Sequence, residues 1–347
     1  MTPSARTQAA IELIDAIAAA ARDGGAAADT LIARYFATRR YAGSKDRRAV
    51  RELVYAAIRA CGERPESGRA AVLALADPEV LATFDGSPHG PAPLGEGEPI
   101  ASTGPAPAWL VERLAASGLD EAELAALVER APLDVRINSL RPLVEPIPGA
   151  EPIPGVANGL RLPSGTNVEA LPQWRDGSIE VQDAGSQLVT AVVGAAPGEV
   201  VVDLCAGAGG KTLALAAMMD DRGVLLAADT DRARLSRLAP RAERAGVSIV
   251  ETLLLNPGRE AEMLADWPGR ADHVLIDAPC SGTGTWRRNP EARWRLTPQR
   301  LGSLVALQGR LLEVGAALVR PGGTLPYVVC SLLDAEGADQ VAGFLDR

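Results

Sequence analysis

Two cysteines stand just after short apolar runs that predict buried β-strands. Cys280 follows a run at 273–277, and Cys330 follows a run at 323–329. The carboxyl ends of parallel strands form the edge of a sheet where ligands bind. A cysteine thiolate at such an edge can act as a nucleophile, although two cysteines at strand ends, taken alone, favour simple packing. Both thiols are therefore candidate reactive groups, and the surrounding motifs must decide between the two interpretations.

A glycine-rich loop joins another predicted strand to a predicted helix. The strand is 200–204, the loop is 205–210, and the stretch 212–219 is rich in Ala and Leu, which favour a helix. This order predicts a nucleotide-like ligand at the carboxyl edge of a sheet. The spacing fits neither a P-loop, which needs glycine where Cys205 stands, nor a dinucleotide fingerprint, which needs glycine at Thr212. A tight structural turn is the alternative.

An acid follows this loop at a spacing that suits ribose recognition. Asp229 ends the predicted strand 224–229, about twenty residues after the loop, where a carboxylate accepts hydrogen bonds from ribose hydroxyls. The alternative is that Asp229 caps the helix that follows. Loop and acid together favour an adenosine ligand with no obligatory pyrophosphate. S-adenosylmethionine fits that description.

Five stretches carry distinctive sequence blocks: 204–212 (LCAGAGGKT), 273–285 (HVLIDAPCSGTGT), 325–333 (LPYVVCSLL), 180–187 (EVQDAGSQ) and 134–138 (DVRIN). Together they resemble the signatures of RNA cytosine-5 methyltransferases, most nearly the bacterial Sun/RsmB group that modifies 16S ribosomal RNA. The resemblance implies an α/β fold, a Rossmann-like S-adenosylmethionine methyltransferase domain with a parallel sheet and helices on both faces. It also implies methylation of carbon 5 of a cytosine in RNA, with ribosomal RNA favoured, through a covalent cysteine–cytosine intermediate.

The same resemblance assigns roles to individual residues. Cys330 is implied as the nucleophile, Cys280 as the group that helps release the methylated base, and Asp277 as the group that holds the cytosine edge. Asn256 stands where the family usually has an acid near adenine, and Val329 stands where a threonine is frequent. The residues implied at the cofactor are Cys205, Ala206, Gly207, Ala208, Gly209, Gly210, Lys211, Asp229, Asn256 and Asp277.

Composition along the chain predicts four regions. Helical periodicity dominates 1–82, Gly and Pro mark a linker at 83–107, and mixed helix and strand patterns fill the connecting region 108–180. Strands and helices alternate through 181–347, which predicts a parallel sheet. The expected strands lie near 200–204, 224–229, 248–253, 273–277 and 323–329.

The first region resembles the helical domain, similar to the antitermination factor NusB, that precedes the methylase in this family. Helices are expected at 6–22, 26–38, 44–61 and 67–77, with Ser44 as an N-cap. Residues 1–60 hold ten Arg or Lys against six Asp or Glu, although the whole chain has a net charge of −9. A basic face here predicts selective RNA contact, and a solvated helix surface is the alternative. The RNA-contact candidates are Arg39, Arg40, Lys45, Arg47 and Arg48.

The connecting region holds two helical patterns, at 108–117 and 120–131, and then a strand at 134–140. Asp120 is expected to cap the second helix. By the family resemblance, Arg136 and Asn138 lie on the substrate side of the molecule. The alternative is that they are ordinary strand and turn residues.

Length and composition set the remaining expectations. A chain of 347 residues predicts two domains, each large enough for its own core. The absence of a membrane-length apolar run or signal peptide, and four cysteines without paired or metal-type spacing, predict reduced thiols and no bound metal. We expect a cytoplasmic monomer that binds RNA and no membrane.

Two other functions stay open at this point. One is the same chemistry on transfer RNA. The other is a non-catalytic RNA-binding protein, because the chain stops at Arg347, before the terminal β-hairpin that the family normally has. The last predicted strand, which contains Pro326, is then expected to be an uncovered edge.

Overall fold

A computed structural model describes residues 1–347, and the chain divides into two compact units. The helical unit consists of Met1–Ala131, Ser281–Ser303 and Cys330–Ala338. The sheet unit consists of Pro132–Cys280, Leu304–Val329 and Asp339–Arg347. Each unit is therefore assembled from three separate pieces of chain.

Helices from the first piece of chain build most of the helical unit. Their apolar residues recur at helical spacing and pack into one core, in which Ile14, Val54 and Ile58 have no exposed surface. The helices are α1 (Pro3–Asp23), α2 (Ala28–Ala37), α3 (Ser44–Ala60), α4 (Gly68–Leu73), α5 (Pro78–Leu81), α6 (Ala108–Ala116) and α7 (Glu121–Ala126). Short 3-10 turns in the other two pieces cover Thr283–Thr285, Pro290–Arg295 and Asp334–Glu336.

Two helix starts test the predicted caps. Asp120 caps α7 as predicted, since its carboxylate accepts a hydrogen bond from the Glu123 N–H at 2.8 Å. The prediction for Ser44 is wrong, because Ser44 is the first residue of α3 and Gly43 is its N-cap. The Gly43 N–H donates to the Asp46 carboxylate at 3.1 Å. The Asp46 carboxylate, in the first turn, therefore supplies the half of a capping box that accepts from the N-cap N–H.

The sheet unit begins with a small antiparallel sheet. Its strands are β1 (Leu133–Ile137), β2 (Glu151–Pro152), β3 (Gly159–Leu162) and β4 (Ile179–Val181), in the spatial order β2-β3-β1-β4. Helix α8 (Pro172–Arg175) precedes β4, and α9 (Ala184–Ala191) follows it. The core of this sheet is formed by Val135, Leu162 and Ile179.

A parallel sheet flanked by helices makes up the rest of the sheet unit, which confirms the predicted α/β fold. Its path is β10-β8-β5-β6-β7, with β9 also paired to β8. The strands are β5 (Val200–Asp203), β6 (Val224–Asp229), β7 (Val250–Leu254), β8 (Ala271–Asp277), β9 (Val319–Thr324) and β10 (Tyr327–Val328). The helices are α10 (Gly210–Met218), α11 (Arg232–Leu235), α12 (Leu238–Ala245), α13 (Glu260–Met263), α14 (Pro298–Leu318) and α15 (Ala338–Leu345).

The first four predicted strands of this sheet occur within two residues of their expected bounds. The fifth prediction, one strand over 323–329, is wrong, because Leu325 and Pro326 separate β9 from β10. Proline has no N–H for the ladder. Its carbonyl still accepts a hydrogen bond from the Ile276 N–H at 2.9 Å, so the chain stays against β8 and pairs again at Tyr327.

Helix α14 is the one helix that is long and apolar enough to cross a membrane by length and composition alone. Its apolar face has another explanation in the fold. Leu311, Leu312 and Leu318 are almost completely buried in the core beneath β8. The apolar character of α14 is thus that of a helix packed on a sheet.

Candidate active site

The loop from β5 to α10 contains two glycines that no other residue could replace. Gly207 has φ of +56° and Gly209 has φ of +86°, in the left-handed region. A Cβ atom on Gly207 would collide with the Arg234 guanidinium, and one on Gly209 would collide with the Leu238 side chain. The loop backbone is therefore held close to the carboxyl edge of the sheet.

Asp229, at the end of β6, is tied to this loop. One oxygen of its carboxylate accepts a hydrogen bond from the Gly207 N–H at 2.7 Å, and the other accepts from the Asp231 N–H at 2.7 Å. The residue that caps the following helix, α11, is Asp231 rather than Asp229. Asp231 accepts hydrogen bonds from the N–H groups of Ala233 and Arg234. Asp229 therefore remains the acid at the position predicted for ribose.

An ion pair joins the next two elements of the site. Lys211 Nζ, in the first turn of α10, donates to Asp277 Oδ2 at 2.7 Å, and Asp277 is the last residue of β8. Strands β5 and β8 are neighbours in the sheet. The pair thus fixes the start of the glycine-loop helix to the end of the adjacent strand.

Asp203, the last residue of β5, is a third acid at this edge. It is almost completely buried, one carboxylate oxygen accepts from Thr212 Oγ1 at 2.7 Å, and the other has no partner within the protein. Burial, with a contribution from Asp277 and Asp229, raises the pKa of Asp203 to about 7. The sequence analysis did not identify Asp203. A carboxylate that ends an otherwise apolar strand was the available signal.

The same environment suppresses the reactivity of Cys205. Burial, followed by the charges of Asp203, Asp229 and Asp277, raises the pKa of the Cys205 thiol well above its ordinary value. Because the thiolate is the nucleophilic form, this thiol is protonated at neutral pH. Its place in the loop suits a lining residue.

Asn256 follows the neighbouring strand at the same edge. It lies two residues beyond β7, whose last residue, Leu254, is paired with Asp229. The Asn256 side chain is exposed, and its backbone N–H donates to the Met263 sulfur at 3.0 Å. An exposed amide at this edge can donate and accept hydrogen bonds, as an adenine ring requires.

The two candidate cysteines follow adjacent parallel strands. In the sheet unit, Val328 of β10 is paired with Asp277 of β8. Cys280 comes three residues after Asp277, and Cys330 comes two residues after Val328. Val329, the departure from the family pattern, packs against the apolar core.

In the helical unit, the segments that follow the two cysteines are hydrogen-bonded to each other. The Cys330 carbonyl accepts from the Gly284 N–H at 2.9 Å, and the Leu332 N–H donates to Thr283 Oγ1 at 2.7 Å. The Glu336 carboxylate, fully buried, accepts from the Ser281 N–H at 2.8 Å and from the Ser281 hydroxyl. We call this network the clasp.

A buried arginine anchors the segment 281–303 within the helical unit. Arg293 has no exposed surface and donates to the carbonyls of Ile58, Cys61 and Pro290 at 2.7–2.8 Å, and to that of Arg59 at 3.1 Å. Burial lowers the pKa of Arg293 to about 10. Its guanidinium therefore satisfies the carbonyls at the end of α3, a role that the sequence did not reveal.

The predicted RNA-contact residues fall into two groups. In the helical unit, the exposed ones are Arg40, Lys45, Arg47 and Arg48, whereas Arg39 is half-buried and stacks on Tyr35 with its guanidinium carbon 3.6 Å from the ring centre.

Arg136 and Asn138, in the sheet unit, are buried. Arg136 Nε donates to Gln182 Oε1 at 2.8 Å. The Asn138 amide donates to the Gly177 and Ala245 carbonyls at 3.0 and 2.8 Å. Both side chains hold the small sheet to its surroundings.

The edge of the parallel sheet offers S-adenosylmethionine both hydrogen-bond acceptors and space. The acids Asp203, Asp229 and Asp277 stand there with Lys211, and the Arg234 guanidinium lies against Gly207. Carboxylate oxygens at this edge can accept hydrogen bonds from the hydroxyl and amino groups of such a ligand. A Cβ atom on Gly210 would meet nothing within 4 Å, so the loop leaves open space at the start of α10.

Comparisons with known proteins agree with this arrangement. Residues 191–347 match the family of 16S rRNA methyltransferases RsmB/F. The probable ribosomal RNA small subunit methyltransferase B of Synechocystis is 38% identical over 254 residues, covering 69% of this chain and 56% of that protein. Ribosomal RNA small subunit methyltransferase B of Salmonella typhi is 34% identical over 253 residues, covering 70% and 58%. The chain thus spans a little more than half the length of these curated relatives.

Solved structures support the same fold. The crystal structure of PH0851 matches with a TM-score of 0.77 at 25% identity, covering 100% of this chain and 90% of that chain. A methyltransferase homologue from Pyrococcus horikoshii matches with a TM-score of 0.57 at 26% identity, covering 70% and 83%. The cofactor is S-adenosylmethionine, in agreement with the methyltransferase match and with the glycine loop and acid at the sheet edge. The resemblance seen in the sequence is confirmed over residues 191–347, the part of the chain that matches the RsmB/F methyltransferase family.

Proposed function

We propose that this protein methylates carbon 5 of a cytosine in 16S ribosomal RNA through a covalent bond between Cys330 and the base. One observation carries the proposal. The neighbouring parallel strands β8 and β10 lead to Cys280 and Cys330, and β8 ends at Asp277, which is bonded to the cofactor-loop helix through Lys211. Two thiols and an acid after adjacent strands are the groups that this reaction needs.

The reaction requires these groups because carbon 5 of cytosine is a poor nucleophile. The Cys330 thiolate adds to carbon 6, and the electron pair displaced from the ring double bond makes carbon 5 able to attack a methyl group. S-adenosylmethionine, when bound, supplies that methyl group from its sulfonium. Cys280, as its thiolate, then takes the carbon-5 proton, which re-forms the double bond as the carbon–sulfur bond breaks and the Cys330 thiolate leaves.

The other residues have separate parts in this scheme. Asp277 holds the N3 and amino edge of the extruded cytosine, and Cys280 assists the elimination that frees Cys330. Asp229 accepts hydrogen bonds from the ribose hydroxyls of the cofactor, and Asn256 meets its adenine. The loop backbone from Cys205 to Gly210 lies along the cofactor.

Exposed basic residues of the helical unit are proposed to bind the RNA backbone. They are Arg40, Lys45, Arg47 and Arg48, with Arg39 at their margin. Arg136 and Asn138 are left out of this surface because both side chains are buried within the sheet unit. We infer a cytoplasmic monomer, for which size-exclusion chromatography with and without RNA is the check.

Methyl transfer is tested with tritiated S-adenosylmethionine and RNA from a strain that lacks the gene. Label in 16S ribosomal RNA, mapped to one 5-methylcytosine, is the expected result. Label in transfer RNA would identify transfer RNA as the substrate instead. No label in either RNA would favour a non-catalytic RNA-binding protein.

The two cysteines are distinguished on a denaturing gel with RNA and cofactor. Cys280→Ala should accumulate protein joined covalently to RNA, because attack proceeds and elimination is impaired. Cys330→Ala should form no adduct and lose methyl transfer on the order of 10³-fold or more. An adduct that forms only with Cys330→Ala would mean that Cys280 is the nucleophile and Cys330 assists the elimination.

A further inference from the structure

A cavity of about 510 Å³ opens in the helical unit beside the clasp. Its wall includes the turn between α6 and α7 and the side chain of Ala126, and its apolar surface comes from Leu119, Leu127 and Leu332. Ligand cavities for molecules of nucleoside size cover roughly 300–1,000 Å³. The cavity is therefore large enough for a base and its sugar.

Its position relates it to the proposed nucleophile. Leu332 is two residues after Cys330, and two residues of chain span at most about 7 Å. The Leu332 N–H donates to Thr283 Oγ1, and the Cys330 carbonyl accepts from Gly284, so this wall is fixed by the clasp. The Leu332 side of the cavity is therefore within about 7 Å of Cys330 along the chain.

The lining has the chemistry of a base-binding pocket. Leu332 is 39% exposed, which leaves an apolar face unused by the fold. Arg287 lines the cavity with a guanidinium held by the Arg130 carbonyl at 3.1 Å and by Glu129 at 3.7 Å, and its Nε is buried without a partner in the protein. Glu123 also lines the cavity; one oxygen of its carboxylate accepts from the Asp120 N–H at 3.0 Å, which leaves the second oxygen to accept from a ligand. Apolar faces, one acceptor and a planar cation suit a nucleobase and its phosphate.

We propose that this cavity binds the nucleotide adjacent to the target cytosine, a subsite that rests on the proposed RNA methyltransferase function. An unstacked neighbour held there would keep the RNA strand in register while the target base is extruded. The cavity would then contribute to the choice of cytosine through its neighbour.

A cavity-filling substitution with a matched control tests the subsite. Ala126→Trp fills the cavity, whereas Ala125→Trp adds the same side chain at an exposed position of α7 outside the lining. With 16S ribosomal RNA as substrate, Ala126→Trp should raise KM about tenfold and leave kcat and cofactor affinity within twofold of Ala125→Trp. Equal KM values for the two variants would overturn the proposal. Leu332→Ala, which removes an apolar wall, should raise KM about fivefold and provides the test should Ala126→Trp not fold.

Photo-crosslinking separates this proposal from the reaction itself. A 16S ribosomal RNA transcript containing 4-thiouridine should crosslink wild-type protein at peptides 117–127 or 331–333, and Ala126→Trp should lose those crosslinks. Such crosslinks without any methyl transfer would support the subsite and refute the proposed reaction. Methyl transfer with RNA crosslinks only elsewhere would overturn the subsite.

Discussion

The connections that follow β5 and β8 both begin after a strand that ends in an acid, yet they are held in different ways. The glycine loop after Asp203 is short, and its main tie is to Asp229, 22 residues beyond Gly207. The segment 281–303 is anchored through Arg293 to Ile58, 235 residues away. The glycine loop on the cofactor side is thus held by a residue close in sequence. The segment 281–303, which carries Arg287 of the proposed RNA subsite, is held by distant residues of the helical unit. Separate substitutions should therefore impair the two sides independently.

Among substitutions that should impair one side and not the other, the largest effect is expected from Arg293→Met. This substitution leaves several buried carbonyls of the helical unit without a donor. It should lower the free energy of unfolding of that unit by about 3–5 kcal/mol. Methyl transfer to RNA should fall with it, whereas S-adenosylmethionine affinity should stay within twofold. Chemical denaturation and calorimetric titration measure the two quantities. Arg300→Met, at an exposed position of the same segment, is the control, and a parallel loss of cofactor affinity would contradict the separation.

The converse effect is expected from Asp229→Ala. Loss of a charged acceptor should weaken S-adenosylmethionine binding by about 1.5–3 kcal/mol and leave RNA binding unchanged. Asp231→Ala, which removes the cap of α11, should cost about 1 kcal/mol of stability without affecting cofactor affinity. Calorimetric titration of both variants decides the matter, and equal affinities for them would remove Asp229 from the cofactor site.

The smallest effect, and the most specific one, is a pH dependence from Asp203. Its folded pKa of about 7 lies above the ordinary aspartate value of 3.8, so the folded state holds this proton more tightly than the unfolded state. The stabilisation is complete below pH 4 and is lost as pH rises towards 7. Between pH 5 and pH 8 this should cost about 2–3 kcal/mol. Denaturant titrations at several pH values give the free energy of unfolding as a function of pH. Asp203→Asn should remove the part of this pH dependence that comes from Asp203, and an unchanged pH dependence would mean that another group titrates.

The features that could be predicted from the sequence are those determined by residues close together in the chain. β5 and β6 occur where β-branched and apolar runs place them, and Asp120 caps the helix that begins beside it. Ser44 failed as a cap because the helix starts at Ser44 itself, after Gly43, whose N–H is bonded to Asp46.

The remaining features depend on distant pairings. Nothing near Arg293 in the sequence indicates that it will meet the end of α3, and Glu336 shows no sign of its bond to Ser281, 55 residues earlier. Patterns of composition and spacing report on neighbours along the chain. They cannot specify which buried charge meets which distant carbonyl.

The discontinuity of the helical unit has a consequence for synthesis on the ribosome. Its first piece ends at Ala131, but its last piece ends at Ala338, which is 207 residues later. At roughly 5–20 residues per second, the N-terminal helices wait about 10–40 s for the rest of their unit to emerge. Until Arg293 emerges, the carbonyls at the end of α3 have no guanidinium donor, and nascent chains should be most sensitive to protease there.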